Sequence, residues 1–293
     1  MNKPFGYYIL MALTWPMQLF PLEFHYILSD FLYLLVYKLF GYRIDVVHQN
    51  LVRSFPNKSN DEIQKIEKQF YHNFCDMFIE TLYFTHINID KEAKRLEIKG
   101  TDEVEKHIAN GKNILAVTGH FGNWEFMQLF INKLSIKTYF VYKKLNNKTF
   151  DAFYRQLRSR AAHPLEMQQT YRQLAKDKVQ KNPFAAYLIS DQRPRRYEVK
   201  HWVNFMNQDT PVMLGPEKIA QKTNAAVFYV ELKQIKRGYH RVSFELLVDQ
   251  PEKTAQYEIT DQFMKRLEQS IHEAPHQYFW THKRWRFKKE EFN

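Results

Sequence analysis

The stretch "ILAVTGHFGNWEF", residues 114–126, decides how the chain is read. Ile114 to Val117 form a short unbroken apolar run, the pattern of a strand buried on both faces of a sheet. The run stops at Thr118-Gly119, and His120 follows directly. In open α/β sheets ligands bind at the carboxyl ends of strands, so His120 falls where chemistry is expected. Glu125 lies five residues on. In one continuous helix, residues five apart stand roughly 140° from each other and do not meet. If the helix starts near Asn123, His120 lies on the preceding turn and can fold back over the first helical turn. Glu125 there takes the imidazole N–H and leaves the other nitrogen as an acceptor, which makes a general base with an orienting acid. Gly119 and Gly122 allow a sharp bend and close approach of a substrate, and free N–H groups at the helix start favour an oxyanion. On spacing alone, a loop histidine and an exposed helix glutamate are favoured over a catalytic pair, because two-residue patterns are common by chance.

Outward from this stretch the chain alternates. Strands are expected at 114–118, 137–142 ("KTYFVY") and 184–190 ("FAAYLIS"), with a hairpin of "AAVFYVELKQIK" and "YHRVSFELLVD" around Arg237-Gly238. Helices are expected from Thr101 as cap to Gly111, over "NWEFMQLFINKL", at 149–162, at about 168–180, at 216–223 ended by Asn224, and from Thr260 to 274. Upstream, Ser59 and Glu62 form a capping box. Ile63, Ile66, Phe70, Phe74 and Leu82 then recur every three or four residues, an amphipathic helix of about six turns. The alternation implies an α/β fold, a mostly parallel or mixed central sheet flanked by helices. No Gly/Ser linker appears. The division expected is an N-terminal segment at 1–42 and one catalytic domain at 43–293.

Composition narrows the function. The chain of 293 residues is 44% hydrophobic and 16% aromatic, enough for a large core and against disorder. A net charge of +11 implies an anionic partner without choosing among nucleic acid, acidic membrane, acidic protein and phosphorylated substrate. Cys75 is the single cysteine, which excludes an intramolecular disulfide framework, and its place in the helical stripe reads as core. Scattered histidines and the lack of H-E-x-x-H make a metal site improbable on pattern. Phe5 to Leu22 carries no charge, but Pro16 and Pro21 argue against a straight span. With the apolar stretch at 26–40, it reads as a membrane anchor of one or two helices, dipping or spanning. The other reading is a buried helical hairpin.

Three further features carry chemistry. In "YRQLRSR" (154–160), Arg155 and Arg158 share a helix face with Lys143, Lys144 and Lys148 upstream, either a solvated basic face or a phosphate or carrier-protein site. In "LISDQRPRR", Asp191 ends a strand, where it can position Arg158, the helix after His120 or the substrate, or serve only as a turn residue. The tail "APHQYFWTHKRWRFKKEEF" interleaves aromatics and cations, a pattern suited to nucleic acid or to a membrane interface.

Taken in order, "NLVRSFPNKSNDE", "GHFGNWE", "LNNKTFDAFYRQLRSR", "SDQRP" and "APHQYFWTHKRWR" resemble the motifs of the lipid A biosynthesis acyltransferases, the lauroyl/myristoyl group of the lysophospholipid acyltransferase superfamily. The resemblance runs from about residue 45 to 288. It implies acyl transfer from acyl carrier protein or acyl-CoA to an anionic lipid acceptor, first a lipid A precursor and second a lyso-aminolipid or lysophospholipid. By carry-over, His120 is the catalytic base and Glu125 its orienting acid. Asn123, Arg158 and Asp191 contact substrate. No cofactor, no metal and no nucleic-acid partner is implied. The implied location is the cytoplasmic face of the bacterial inner membrane. His276 and Trp285 depart from the usual Glu and Phe, and "WVNFMNQDTPV" replaces a glycine-rich segment expected to shape substrate access. A lipid hydrolase using the same residues on water, and a basic binding protein without catalysis, are the rival readings.

Overall fold

Ile114–Thr118 is a strand, buried at every position, in the middle of a seven-stranded sheet. The computed structural model describes residues 3–292. Its helices are α1 (Phe5–Thr14), α2 (Leu22–Tyr33), α3 (Ile44–Ser54), α4 (Asn60–Tyr83), α5 (Ile89–Glu92), α6 (Thr101–Ala109), α7 (Lys148–Arg158), α8 (Met167–Val179), α9 (Gly215–Thr223) and α10 (Glu258–Glu273). Its strands are β1 (Leu96–Lys99), β2 (Ile114–Thr118), β3 (Lys137–Tyr142), β4 (His163–Glu166), β5 (Phe184–Ile189), β6 (Trp202–Phe205), β7 (Gln208–Pro211), β8 (Ala226–Lys236) and β9 (Tyr239–Val248).

The sheet order is β1-β9-β8-β2-β5-β3-β4. Every neighbour is parallel except the β8–β9 hairpin, so the sheet is mixed, as expected from the late hairpin around Arg237-Gly238. Side chains alternate between two cores. Leu115 and Val117 face one, with α3, α8, α9 and α10, while Ile114 and Ala116 face the other, with α6 and α7. Helix α4 begins with the expected capping box, in which Ser59 Oγ accepts from the Glu62 N–H and Glu62 accepts from the Ser59 N–H. Cys75 is buried in it, and burial pushes its thiol up to about 12, as suits a core residue.

Several local expectations need correction. "NWEFMQLFINKL" is not an α-helix but two short 3-10 turns, Trp124–Leu129 and Ile131–Lys133, with Phe126, Met127 and Leu129 buried. Burial of consecutive side chains cannot be met by one helix stripe, and the tighter turns supply it. Thr101 and Thr260 are helical residues, not caps: left-handed Gly100 and Tyr257 precede those helices. Thr260 instead donates its hydroxyl to Glu217. Helix α7 stops at Arg158, short of 162, and makes room for strand β4, which the sequence reading missed. The departing segment forms a β6–β7 hairpin whose turn residues Met206 and Asn207 both take positive φ, the requirement of a type I′ turn.

The apolar N-terminus is broken as Pro16 and Pro21 suggest, into α1, a 3-10 turn at Trp15–Leu19, and α2. Among the described residues no helix is long and apolar enough to cross a membrane, which corrects the spanning form of the anchor. One face is built into the core: Tyr7, Met17, Leu22 and Tyr26 are buried. Polar ties add to this. Ser29 donates to Asp76, and Arg237 bridges Asp30 and Asp76. The opposite face presents Phe5, Leu13, Phe24, Ile27 and Phe31, each about half or more exposed.

Candidate active site

The register of two parallel strands builds the site. Thr118 at the end of β2 is paired with Ile189 at the end of β5, and the Ser190 N–H continues the ladder to the Thr118 carbonyl at 2.9 Å. Two residues further along each chain stand His120 and Asp191. Asp191 Oδ1 accepts from the His120 backbone N–H at 3.0 Å and pairs with its Nδ1 at 2.5 Å. Nδ1 therefore carries the proton, and Nε2 is left as an acceptor. The Gln192 amide nitrogen lies 3.2 Å from Nε2, where it donates into that lone pair. Trp124 meets the ring edge-on at 4.8 Å and Phe279 lies at 5.9 Å, and the two also meet each other at 5.8 Å, so the imidazole packs against one aromatic cluster.

The expected hydrogen bond from His120 to Glu125 is not formed. Glu125 is turned away by the 3-10 geometry of residues 124–129 and pairs with Arg158, Oε1 to Nη2 at 2.6 Å, while Gln128 donates to its other oxygen at 3.1 Å. Arg158 packs its guanidinium on Phe140 and Tyr154. Burial opposes its charge, but the Glu125 carboxylate more than offsets this, and the net shift of the Arg158 pKa is upward.

Asp191 is fully buried, which by itself raises a carboxyl pKa. The neighbouring His120, the buried Arg284 and a hydrogen bond with Tyr278 outweigh burial and bring it down to about 2. Tyr278 and Arg284 belong to the tail, and its reading as an exposed aromatic and basic surface is corrected here. Tyr278, Trp280 and Arg284 are at most 3% exposed. The tail runs along the His120 loop, pairing Phe121 with Tyr278 and donating the Phe279 N–H to the His120 carbonyl. Gly122 lets the same loop lie directly on strand β8. Its φ is +62°, and a Cβ there would stand 1.9 Å from the Leu232 carbonyl oxygen.

The sequence model of bacterial lipid A biosynthesis acyltransferases matches residues 1–287. The chain belongs to that family. It is accordingly an acyltransferase that acts on a lipid. No curated protein gives a significant match.

In this acyltransferase a cleft of about 410 Å³ opens beside His120, lined by Glu125, Arg158 and Gln192 and by the apolar Met77, Phe78 and Met213. Lys143, Arg193 and Arg195 give its mouth positive charge. Of the residues expected to contact substrate, Arg158 lines this cleft, whereas Asp191 and Asn123 do not. Asp191 is spent on His120. Asn123 donates to Glu80 at 2.7 Å and accepts the Glu125 N–H at 3.1 Å, so both ends of its amide shape the turn. Glu80 was missed in the sequence. It is buried, is held by Tyr26 and Asn123, and is pushed up to about 7 by burial against the lowering effect of those two hydrogen bonds. Its signal was an acid on the buried side of an amphipathic helix. Among the described residues no cluster suited to a metal ion occurs.

Proposed function

We propose that this family member transfers a fatty acyl group from a thioester of acyl carrier protein or coenzyme A to a hydroxyl of a lipid A precursor, with His120 as general base. The observation that carries the reading is the His120–Asp191 pair beside a largely apolar cleft. Asp191 fixes the tautomer and stabilises the imidazolium that forms, as a buried carboxylate does in other base-and-acid pairs.

The step balances without a covalent enzyme intermediate. The acceptor hydroxyl gives its proton to His120 Nε2 as its oxygen attacks the thioester carbonyl. The tetrahedral intermediate collapses, the carbon–sulfur bond breaks, and the leaving thiolate takes the proton from the imidazolium. Products are an ester and a free thiol. Gln192, which donates to Nε2, gives way to the hydroxyl. Arg158, held in the cleft by Glu125, is assigned to the negative charge that develops on the carbonyl oxygen. Glu125 is assigned the task of holding Arg158, a revision of its expected role toward His120.

The exposed apolar face of α1 and α2 supports docking into a membrane interface, with the net positive charge favouring anionic lipid. The bacterial inner membrane, cytoplasmic side, is the location this implies.

The test is acyl transfer from an acyl-carrier thioester to a panel of single-chain and multi-chain lipid acceptors, comparing wild type with His120→Ala. Ester formation lost in the variant supports the mechanism. A variant that keeps most of the wild-type rate refutes it, and free fatty acid as the sole product replaces transfer by hydrolysis.

A further inference from the structure

Arg155 and Arg158 were expected to share a task, but the fold separates them. Arg158 is drawn into the catalytic cleft by Glu125, while Arg155 is exposed and lines a second cleft of about 530 Å³. That cleft is built from two parts of the chain. Lys148, Arg155 and Gln156 come from α7, Ser159 from the residue that follows it, and Lys144 from the loop before it. The other side is Lys3 and Pro4, at the start of the N-terminal segment. Four cations therefore surround one opening. Asp151 is the only acid lining it among the described residues, and one of its carboxylate oxygens accepts the Leu145 N–H at 2.9 Å. Lys3 is fixed by Gln156 at 2.8 Å, and Lys144 makes only a long contact of 3.9 Å with Glu166. For Lys148 and Arg155 no side-chain hydrogen bond or ion pair is formed among the described residues.

Three observations indicate the ligand. Leu145 and Asp151 line both this cleft and the catalytic one, so the two are neighbours and one extended lipid can lie against both. Helix α1 lies so close on α7 that a Cβ on Gly6 would come within 2.6 Å of Thr149 Oγ1, and its outer face, next to the cleft, exposes Phe5, Tyr8, Ile9 and Leu13. The opening, about 530 Å³, is of a size to admit a headgroup. We propose that this cleft seats a phosphate group on the headgroup of the lipid acceptor. Arg155 and Lys148 make the main contacts, and Lys3 recruits the N-terminal segment to the substrate. The inference rests on the acyl-transfer reading for its kinetic arm only.

The test uses the full-length protein in neutral detergent. Its binding arm titrates phosphatidic acid and, separately, the matching neutral diacylglycerol, into wild type and Lys148→Ala/Arg155→Ala, with inorganic phosphate as competitor. Wild type is expected to prefer the phosphorylated lipid by roughly tenfold or more per strong contact, and the variant to lose that preference. Competition by inorganic phosphate alone, with no preference between the two lipids, overturns the lipid assignment. The kinetic arm compares an acceptor with its dephosphorylated form. The ratio of their kcat/KM values is expected to fall at least tenfold in the variant, with the KM of the acyl donor unchanged. An equal loss on both acceptors, or a loss seated in the donor KM, refutes the site. If no acceptor is acylated by wild type, the functional reading fails while the binding arm still decides this one. Unchanged thermal midpoints show that the variant is folded.

Discussion

Asp191 grips His120 twice, through the backbone N–H at 3.0 Å and the imidazole Nδ1 at 2.5 Å. Both bonds go to the same oxygen. The position of His120 and its tautomer are thus set by one buried carboxylate, and that carboxylate stays ionised because His120 itself, with Arg284 and Tyr278 behind it, outweighs the effect of burial.

Replacing Asp191 with Asn removes the charge and offers an amide N–H to Nδ1, which favours the wrong tautomer. The expected loss in kcat is about 10³–10⁴-fold, with KM for the acyl donor little changed. Glu125→Gln should cost far less in the chemical step. Steady-state kinetics on the two variants decide which carboxylate serves His120, and equal losses would remove Asp191 from that role.

The Glu125–Arg158 pair predicts a coupling in stability. Their side chains are 2% and 13% exposed, so removing either partner leaves a charge without compensation and costs about 3–5 kcal/mol. The double variant Glu125→Gln/Arg158→Met should be less destabilised than the sum of the singles. Urea unfolding of the four proteins measures this. Simple additivity would mean that the ion pair contributes nothing.

Glu80 predicts a pH dependence. Its carboxyl lies at about 7 in the fold against an ordinary value of 4.5. Between those values the folded state holds the proton more tightly than the unfolded state. Its contribution to stability is therefore fully present below about 4.5, declines as pH rises, and is gone above about 7. Glu80→Gln, fixed in the neutral form, should flatten the stability curve across that window relative to wild type. Thermal melts at half-unit steps check it, and parallel curves for the two proteins would contradict the shift.

Gly122→Ala should lower stability by at least about 2 kcal/mol, because the left-handed backbone and the Leu232 carbonyl oppose the same methyl group. Activity is expected to fall with it, since Gly122 also donates its N–H to the tail at Gln277. Gly111→Ala is the control. It also has positive φ but nothing within 4 Å of the added carbon, so a loss as large as at Gly122 would show that backbone strain alone accounts for the effect.

Ile27→Asp/Phe31→Asp tests membrane docking. Both side chains are exposed, so folding should be unaffected. Each apolar side chain that enters the lipid contributes about 1.5–3 kcal/mol. Flotation with anionic vesicles should therefore drop by at least roughly a hundredfold. Retention of wild-type flotation would place the interface elsewhere.

Much of this molecule was legible in its sequence. The apolar run ending at Thr118 gave a buried central strand, and Ser59 with Glu62 marked the start of the longest helix. The turn at Arg237-Gly238 gave the hairpin that makes the sheet mixed. These follow from local rules: periodicity, capping and turn chemistry act within a few residues. The 3-10 turns after Asn123 were not legible, because burial of adjacent side chains there is imposed by the sheet beneath and by the tail above. The tail itself misled. Its cations and aromatics alternate as an exposed surface would, yet Arg284 and Trp280 are buried because the chain returns to cover the His120 loop.

The sequence by itself determined that a histidine would stand at the carboxyl end of a central strand, among acids and arginines fit for acyl transfer. It did not determine which acid that histidine would meet. Five residues separate His120 from Glu125 and 71 separate it from Asp191, and proximity along the chain favoured the first. The tertiary structure reversed this by laying β5 beside β2 in a register that places residue 191 opposite residue 120. Strand order and register are settled by packing of the whole sheet, at a range no local pattern encodes. The same packing sent Glu125 to Arg158 and left Arg155 free to face a second cleft.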